Sequence, residues 1–162
     1  MSQQTAAIIL AAGQGTRMRS SLPKVLHPVC ELPLIVHVVR LALASGAAPV
    51  VVVIDPAGKR TRDLLSATFP GAPLVFAIQE VPRGTGDAAR AGLEAIPDFK
   101  GQVLVLAGDV PLLQKSTISK LQKAGAKLAA TVLTTVVEDP TGYGRIVREG
   151  KKLVRIVEHK DA

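Results

Sequence analysis

Five short runs rich in Val, Ile and Leu, apolar on both faces, constrain the fold of this chain more than any other feature. A strand that alternates polar and apolar residues can leave one face in water, but a strand that is apolar throughout must be covered on both sides. A parallel sheet with helices on each face meets that requirement. The predicted strands are residues 6–10, 50–54, 74–78, 103–106 and 129–136.

The segments between these runs have helical spacing, which predicts helices at residues 33–44, 56–68, 85–95 and 115–124. The first of them is taken to begin at Pro33, because proline is favoured at the first helical position, and to end before Gly46. Strands and helices alternating at this pace predict an α/β fold with a doubly wound, mostly parallel, Rossmann-like sheet. Ligands of such sheets bind beyond the carboxyl ends of the strands, so we expect the functional site there.

After Gly142 the pattern changes to two short alternating runs, at residues 144–148 and 152–157. The two runs are joined by Glu149-Gly150-Lys151, which predicts a β-hairpin near the carboxyl end. A sheet rarely ends with a projecting ribbon on which nothing packs. We therefore expect residues 1–162 to be one domain that is incomplete at its carboxyl end.

The net charge of +7 is typical of two kinds of protein, those that bind nucleic acid and those that bind a small acidic substrate. Surfaces that bind single-stranded nucleic acid stack its bases on aromatic side chains, and only 2% of the residues here are aromatic. Several basic residues instead crowd the first loop. The sequence favours a small phosphate-bearing substrate and no nucleic-acid partner.

Cysteine content and hydropathy indicate the compartment. The single cysteine, Cys30, cannot form an internal disulfide and suits a reducing cytoplasm, and we interpret it as a small packing residue. No segment approaches the roughly 20 apolar residues of a membrane span, and the amino-terminal residues lack the pattern of a signal peptide. We expect a cytoplasmic protein with no membrane partner.

The strongest motif is Leu-Ala-Ala-Gly-Gln-Gly-Thr-Arg-Met at residues 10–18, followed by Leu-Pro-Lys. Gly13 and Gly15 have no side chains, so backbone N–H groups there can approach phosphate oxygens, and Arg17 and Lys24 add positive charge. The motif lacks the third glycine of a dinucleotide fingerprint and the Gly-Lys-Ser/Thr ending of a Walker loop. Two glycines alone would indicate a plain turn, but the added cations favour phosphate binding.

A second motif, Gly-Asp-Val-Pro-Leu at residues 108–112, follows a buried strand. Asp109 would stand at the carboxyl edge of the sheet, where Mg²⁺ on a triphosphate needs an oxygen ligand. Taken alone, an Asp after a strand is more often a cap or turn residue. The phosphate-binding motif at residues 10–18 favours the interpretation of Asp109 as a metal ligand over that of a cap or turn residue.

Gln79 and the pair Gly84-Thr85 lie between these motifs, again at the end of a strand. The amide of Gln79 can meet the edge of a pyrimidine base, and the helix that begins near Thr85 offers its amino terminus to polar ligands. The alternative is that Thr85 is an ordinary helix cap.

A further motif, Asp-Pro-Thr-Gly-Tyr-Gly-Arg-Ile at residues 139–146, precedes the hairpin. Its glycines could let a sugar ring pass close to the backbone, although a simple turn explains them equally well. Glu158 and His159 end the second arm, where charged residues are most often merely solvated.

Taken together, these motifs resemble the signature of sugar nucleotidyltransferases. Their ordered set is more closely similar to the uridyltransferase half of bacterial bifunctional N-acetylglucosamine-1-phosphate uridyltransferases/glucosamine-1-phosphate acetyltransferases, and the similarity extends from Ala7 to Ala162. The set comprises residues 10–18, 22–27, 79, 84–86, 108–112, 139–146 and 156–162.

The resemblance implies transfer of UMP from UTP to N-acetylglucosamine 1-phosphate with Mg²⁺, which supplies UDP-N-acetylglucosamine for peptidoglycan and the cell wall. It implies that Arg17 and Lys24 bind phosphates as catalytic residues, and that Asp109 is one of two protein ligands of Mg²⁺. Within the substrate set, Gln79 would read uracil. The implied substrate-binding residues are Leu10, Ala11, Ala12, Gly13, Gln79, Gly84, Thr85, Ala107 and Gly108 for the nucleotide, and Gly144 and Glu158 for the N-acetylglucosamine group.

The chain departs from the family pattern at Ala107, where the family often has Tyr, and at Gln14, where it often has Lys. The family's Asn-Thr-Gly strand, its second metal ligand and its β-helical acetyltransferase domain would all lie beyond Ala162. The resemblance implies a homotrimeric parent assembled largely through that domain. We expect residues 1–162 alone to be weakly folded or inactive, because the missing strand would enter the sheet interior.

Other functions share parts of this pattern. Molybdenum-cofactor guanylyltransferases and methylerythritol-pathway cytidylyltransferases share the first loop, but neither explains the motifs at residues 139–146 and 156–162. A non-catalytic nucleotide-binding fragment would bind UTP without releasing pyrophosphate. A nucleic-acid binder would bind oligonucleotides with a steep dependence on salt.

Overall fold

The computed structural model describes residues 4–13, 15, 18–150, 152–157 and 159–161. The chain divides into two compact units, Met1–Thr131 and Val132–Ala162. The strands of the first unit are β1 (Thr5–Leu10), β2 (Pro28–Val29), β3 (Leu32–Pro33), β4 (Val50–Ile54), β5 (Leu74–Ile78) and β6 (Gln102–Ala107). Its helices are α1 (Leu34–Ala44), α2 (Lys59–Thr68), α3 (Thr85–Glu94) and α4 (Lys115–Gly125).

A four-stranded parallel sheet with the order β5-β4-β1-β6 forms the centre of the first unit. Ala7 and Ile9 on one face of β1 pack in a core with residues of α1, α2 and α4. Ile8 on the other face packs with Val53 and with Ala88 of α3. Both faces of the sheet are therefore covered by helices, which confirms the predicted doubly wound α/β fold.

The helices follow the predicted segments, with two shifted starts. Pro33 precedes α1 in an extended conformation with ψ of 142°, because it pairs with Pro28 in an antiparallel ribbon. Pro56 lies in a turn, and α2 begins at Lys59. No helix in the described part of the chain is long and apolar enough to cross a membrane.

The prediction that Cys30 packs inside the protein was wrong. Cys30 is exposed in the two-residue turn of the ribbon formed by β2 and β3, and both it and Glu31 have positive φ, 49° and 65°. Hairpin turns of this kind usually contain Gly, Asn or Asp. The turn residues here are Cys and Glu, which are not typical of such turns, so the sequence did not predict the ribbon.

The strand predicted at residues 129–136 was also wrong, because these residues have no regular secondary structure. Leu133 is 53% exposed and Val136 is 99% exposed. Apolar β-branched residues favour a strand only where a neighbouring strand supplies hydrogen bonds and cover. The four-stranded sheet described here has β6 at one edge and does not include this segment.

The second unit contains the predicted hairpin, made of β7 (Arg145–Glu149) and β8 (Lys152–Val157). The strands are antiparallel, with Ile146 opposite Ile156 and a register shift between Val147 and Arg148. Gly150, in the connection, has φ of 59°, which is the left-handed conformation that such turns require.

The close contact between α3 and the sheet gives a test of the fold. A Cβ on Gly92 would lie 2.5 Å from Ile8 Cγ2 and 3.2 Å from Val53 Cγ2, so we expect Gly92→Ala to lower the free energy of unfolding by about 1–3 kcal/mol. Gly86, on the same helix, has nothing within 4 Å of that position. Gly86→Ala should raise stability by about 0.4–1 kcal/mol, measured by denaturant unfolding. Equal stability of the two variants would contradict this packing.

Candidate active site

The carboxyl ends of the four parallel strands are held together by backbone hydrogen bonds just beyond each strand. These bonds join β1 to β4, β1 to β6, and β4 to β5. The N–H groups of Ala11, Gly108 and Gln79 donate to the carbonyl oxygens of Val53, Leu10 and Ile54 at 2.8, 2.9 and 2.8 Å. Three chain segments from different motifs are thereby brought to one edge of the sheet, where ligands of this fold class bind.

A pocket of about 490 Å³ opens at this edge. It brings together predicted residues from three separate motifs, and it also has an apolar wall that the sequence did not assign. The predicted residues that line it are Leu10, Ala11, Ala12, Gly13, Lys24, Gln79, Gly84, Thr85, Ala107 and Asp109. Gly15 of the first loop also lines the pocket, and the apolar wall consists of Met18, Val25, Pro82 and Ala88.

Lys24 is positioned by a short 3-10 turn, Lys24–Leu26, which follows Pro23. Val25 and Leu26 are buried in the core, so this turn is anchored while Lys24 stays partly exposed. Gly15 passes close by, with φ of 57°, and a Cβ there would lie 2.7 Å from Lys24 Cβ. Only glycine allows the first loop to approach the lysine in this way.

Lys24 and Asp109 form an ion pair across the pocket. The lysine side chain is 43% exposed and the aspartate side chain 30% exposed, so both groups remain accessible to a ligand. The cation suited to a phosphate and the carboxylate suited to a metal thus neutralise each other. A phosphate-bearing ligand that arrives with a metal ion offers each group a new partner of opposite charge.

Gln79 is buried, with 6% of the residue exposed, and its amide is fixed in one orientation. Its Nε2 donates to Asp87 Oδ2 at 3.0 Å and to the carbonyl oxygen of Gly84 at 3.3 Å. Both partners are acceptors, so the NH₂ group must face them. The Gln79 hydrogen bond, helped by Arg90, holds the pKa of Asp87 below its usual value.

Gly108 was predicted to bind substrate, and it is buried rather than among the pocket-lining residues. Its N–H donates to the Leu10 carbonyl, and a Cβ at Gly108 would lie 2.8 Å from that same oxygen. The glycine therefore allows β1 and β6 to meet behind the pocket. A direct substrate contact at Gly108 stays a prediction.

Three predicted residues have no described contact with the pocket. Arg17 and Glu158 lie outside the described residues. Gly144 is exposed in the second unit, immediately before β7. Their substrate contacts stay predictions.

The motif that precedes the hairpin forms a turn. Asp139 Oδ1 accepts a hydrogen bond from the Thr141 N–H at 3.0 Å, and Gly142 has φ of 82°. The hydrogen bonds from Thr141 lower the pKa of Asp139. The turn alone explains the Asp and the glycine at these positions, so a sugar-binding role stays a prediction.

The residues that could hold a metal are few. Within the described ranges, no group of three or more His, Cys, Asp and Glu side chains could hold a metal ion. Mg²⁺ is usually bound through one or two carboxylates together with substrate phosphates, and it needs no all-protein cage. Asp109, partly exposed on the pocket wall, fits that mode of binding.

Sequence reasoning missed Asp87, the residue that fixes Gln79. The helix predicted at residues 85–95 placed Asp87 in its first turn, where acidic residues are common. That placement does not reveal which side chain it contacts. The pair is brought together only because α3 packs back onto the sheet next to the end of β5.

Comparison with known proteins gives a family match and a close relative. The family model for the MobA-like NTP transferase domain matches residues 7–153. The chain is 48% identical over 160 residues to the bifunctional protein GlmU of Kineococcus radiotolerans, an alignment that covers 97% of this chain and 32% of that protein. The chain spans about a third of the length of the curated relatives it matches.

Solved structures with the same fold have low sequence identity. A Bacillus anthracis protein provisionally assigned as a glucose-1-phosphate thymidylyltransferase has a TM-score of 0.78 and 22% identity, covering 96% of this chain and 64% of that one. A UDP-glucose pyrophosphorylase bound to UDP-glucose has a TM-score of 0.74 and 19% identity, covering 99% and 72%. At these identities the likeness establishes the fold alone.

The ion pair between Lys24 and Asp109 can be tested with inorganic pyrophosphate in the absence of divalent metal. We expect Asp109→Asn to bind pyrophosphate about three- to tenfold more tightly, because Lys24 is released and a negative charge is removed. Asp63→Asn is the matched control, since Asp63 pairs with Lys59 on the exposed face of α2. Unchanged affinity in Asp109→Asn, measured by titration calorimetry, would contradict the pairing.

Proposed function

We propose, since the chain belongs to the MobA-like NTP transferase domain family, that it transfers UMP from UTP to N-acetylglucosamine 1-phosphate, forming UDP-N-acetylglucosamine and pyrophosphate. The observation that carries the proposal is the pocket at the strand ends, whose wall contains a fixed amide, an ammonium group and a carboxylate. The motif resemblance supplies the substrates. The 48% identity to a bifunctional GlmU protein supports the same choice.

The base is proposed to lie against Gln79. Because Nε2 is already donated to Asp87 and Gly84, Oε1 is the atom that remains for the base, and it can only accept. Uracil has a ring N–H at N3, whereas cytosine has an unprotonated nitrogen there. An amide that only accepts therefore favours UTP over CTP. Leu10, Ala11, Ala12, Thr85 and Ala107 would complete the nucleoside pocket.

The phosphates are proposed to lie along the first loop. Gly13 has nothing within 4 Å of the place where a Cβ would stand, so a ligand can come close to the backbone. Lys24 offers a partly exposed ammonium group in the same pocket. Arg17 is proposed as the second cation on the strength of the sequence resemblance.

Asp109 is proposed as a protein ligand of Mg²⁺. When bound, the ion would neutralise phosphate charge and help to orient the triphosphate. Lys24, freed from Asp109, would then interact with the phosphates rather than with the carboxylate.

The reaction needs little chemistry from the protein. An oxygen of the sugar phosphate is already anionic at neutral pH, so it can attack the α-phosphorus of UTP without a base. The new bond forms as the bond between the α-phosphorus and the oxygen bridging to the β-phosphorus breaks, and pyrophosphate leaves with that electron pair. Lys24 and Arg17 would hold the reactants in line and stabilise the charge on the leaving group.

The acceptor site and the larger assembly are proposed from the resemblance. Gly144 and Glu158 would contact the N-acetylglucosamine group, and Gly108 would stay close to the nucleotide. Residues 1–162 would belong to the nucleotidyltransferase domain of a longer, bifunctional, homotrimeric enzyme in the cytoplasm, which supplies peptidoglycan precursors.

Nucleotide choice tests the proposed function. With N-acetylglucosamine 1-phosphate as acceptor, we expect the full product of the gene to release pyrophosphate from UTP at least about tenfold faster than from CTP or GTP. Equal rates with the three nucleotides would show that Gln79 does not select the base. Binding of UTP with no pyrophosphate release would instead identify a non-catalytic nucleotide-binding protein.

The proposed cations give a second test. Lys24→Ala and Arg17→Ala should each lower kcat/KM by at least about tenfold, because each removes roughly 1.4 kcal/mol of phosphate stabilisation. Lys59→Ala is the control, since Lys59 lies on the exposed face of α2 and pairs only with Asp63 among the described residues. A wild-type kcat/KM in Lys24→Ala would indicate that Lys24 is an ordinary solvated residue with no role in phosphate binding.

A further inference from the structure

Asp87 is the residue outside the pocket lining that acts most directly on the proposed base site. Its two carboxylate oxygens have different partners: Oδ2 accepts from Gln79 Nε2 at 3.0 Å, and Oδ1 accepts from Arg90 Nη2 at 2.7 Å. The aspartate side chain is 20% exposed, whereas the Arg90 side chain is 64% exposed. A chain of contacts thus runs from solvent through Arg90 and Asp87 to Gln79.

The chain of contacts leaves Gln79 one orientation. If the amide were reversed, its oxygen would face the Asp87 carboxylate and the Gly84 carbonyl, and all three groups would be acceptors. In the observed orientation, Nε2 donates to both. No described residue donates a hydrogen bond to Oε1, and Gln79 lines the pocket.

We propose that Asp87 is a positioning residue that sets nucleotide choice, because it holds Gln79 Nε2 and leaves the pocket an amide that can only accept. The pocket then favours a nucleotide whose base carries a ring N–H on its reading edge, as uracil does, over one with a ring nitrogen acceptor, as cytosine does. This inference rests on the proposed function, since it requires the base to lie against Gln79.

The hydrogen bond from Arg90 predicts how the new side chain would be oriented in Asp87→Asn. Arginine can only donate, so in Asp87→Asn it should keep the side-chain oxygen of the new residue and turn the new NH₂ group toward Gln79. Two NH₂ groups would then face each other across the shorter 3.0 Å contact, and we expect this clash to outweigh loss of the longer 3.3 Å hydrogen bond to the Gly84 carbonyl, so Gln79 should reverse to accept from position 87. Its Nε2 would turn to the pocket, which would then suit the ring nitrogen of cytosine.

The experiment measures the ratio of UTP to CTP affinity for the full gene product by titration calorimetry. Four variants are compared with the wild type: Asp87→Asn, Arg90→Met, the double variant, and Asp63→Asn as a control that removes a helical ion pair from α2. We expect the ratio to fall by about tenfold in Asp87→Asn and to change little in Arg90→Met and Asp63→Asn.

The double variant separates positioning from a general structural role. Without Arg90, the new residue at position 87 can rotate its oxygen toward Gln79, so the preference for UTP should recover. Damage to the structure would leave the double variant at least as impaired as Asp87→Asn, and a ratio that does not recover would overturn the proposal.

The remaining outcomes are distinguishable. A wild type that prefers UTP, with the same ratio in Asp87→Asn, overturns the role of Asp87 and leaves the proposed function standing. A wild type that binds UTP and CTP equally overturns both. One measurement needs no variant: in an NMR spectrum of the wild type, Gln79 Nε2 should show a scalar coupling to the Asp87 carboxyl carbon across the hydrogen bond. Absence of that coupling would overturn the proposal even if Asp87→Asn failed to fold.

Discussion

The backbone hydrogen bonds just past the strand ends are the interactions on which the candidate site depends. Each continues the pairing of two parallel strands by one step, at residues that are already buried or nearly so: Ala11, Gln79 and Gly108. A backbone hydrogen bond adds only about 1 kcal/mol, but leaving its buried N–H without a partner costs about 1–3 kcal/mol. The loops that follow the strands, which contain several of the residues proposed to bind substrate, therefore start from fixed positions.

Two ion pairs near these positions differ in what a ligand does to them. Lys24 and Asp109 both line the pocket, so a ligand with phosphate groups and a metal ion competes with each side of the pair. Asp87 and Arg90 lie outside the lining residues, and their pairing can persist while a ligand is bound. The first pair joins two groups that are proposed to bind ligand, in the arrangement they have without it. The second stabilises the shape of the wall against which the base is proposed to lie.

The sequence predicted the sheet because residues 6–10 and 50–54, which form most of β1 and all of β4, are apolar at every position, and such strands need cover on both faces. It predicted much of the pocket wall because carboxyl ends of parallel strands share one edge. It could not predict the exposed Cys30 turn, whose residues lack the usual turn chemistry, or the failure of residues 129–136 to pair. An apolar, β-branched composition shows that a segment is suited to a strand, but it does not show whether another strand is present to pair with it.

The link between Gln79 and Asp87 was beyond sequence reasoning for a related reason. Asp87 lies eight positions after Gln79, across a strand end and the start of a helix, and the contact exists only through the packing of α3. Propensity and spacing describe each element separately. A hydrogen bond between side chains of two elements depends on the distance between them, which the sequence pattern does not give.

Gly92 allows α3 to pack close to the sheet, and it lies five positions after Asp87 and outside the pocket lining. Because no side chain stands between this helix and Ile8, the helix axis lies close to the sheet, and Asp87 is carried to the end of β5 with it. A larger residue at such a position would push the helix away from the sheet and loosen the wall of the proposed base site, without altering any residue that lines the pocket. A change at this core glycine would therefore alter nucleotide choice in a protein whose pocket-lining residues remain identical.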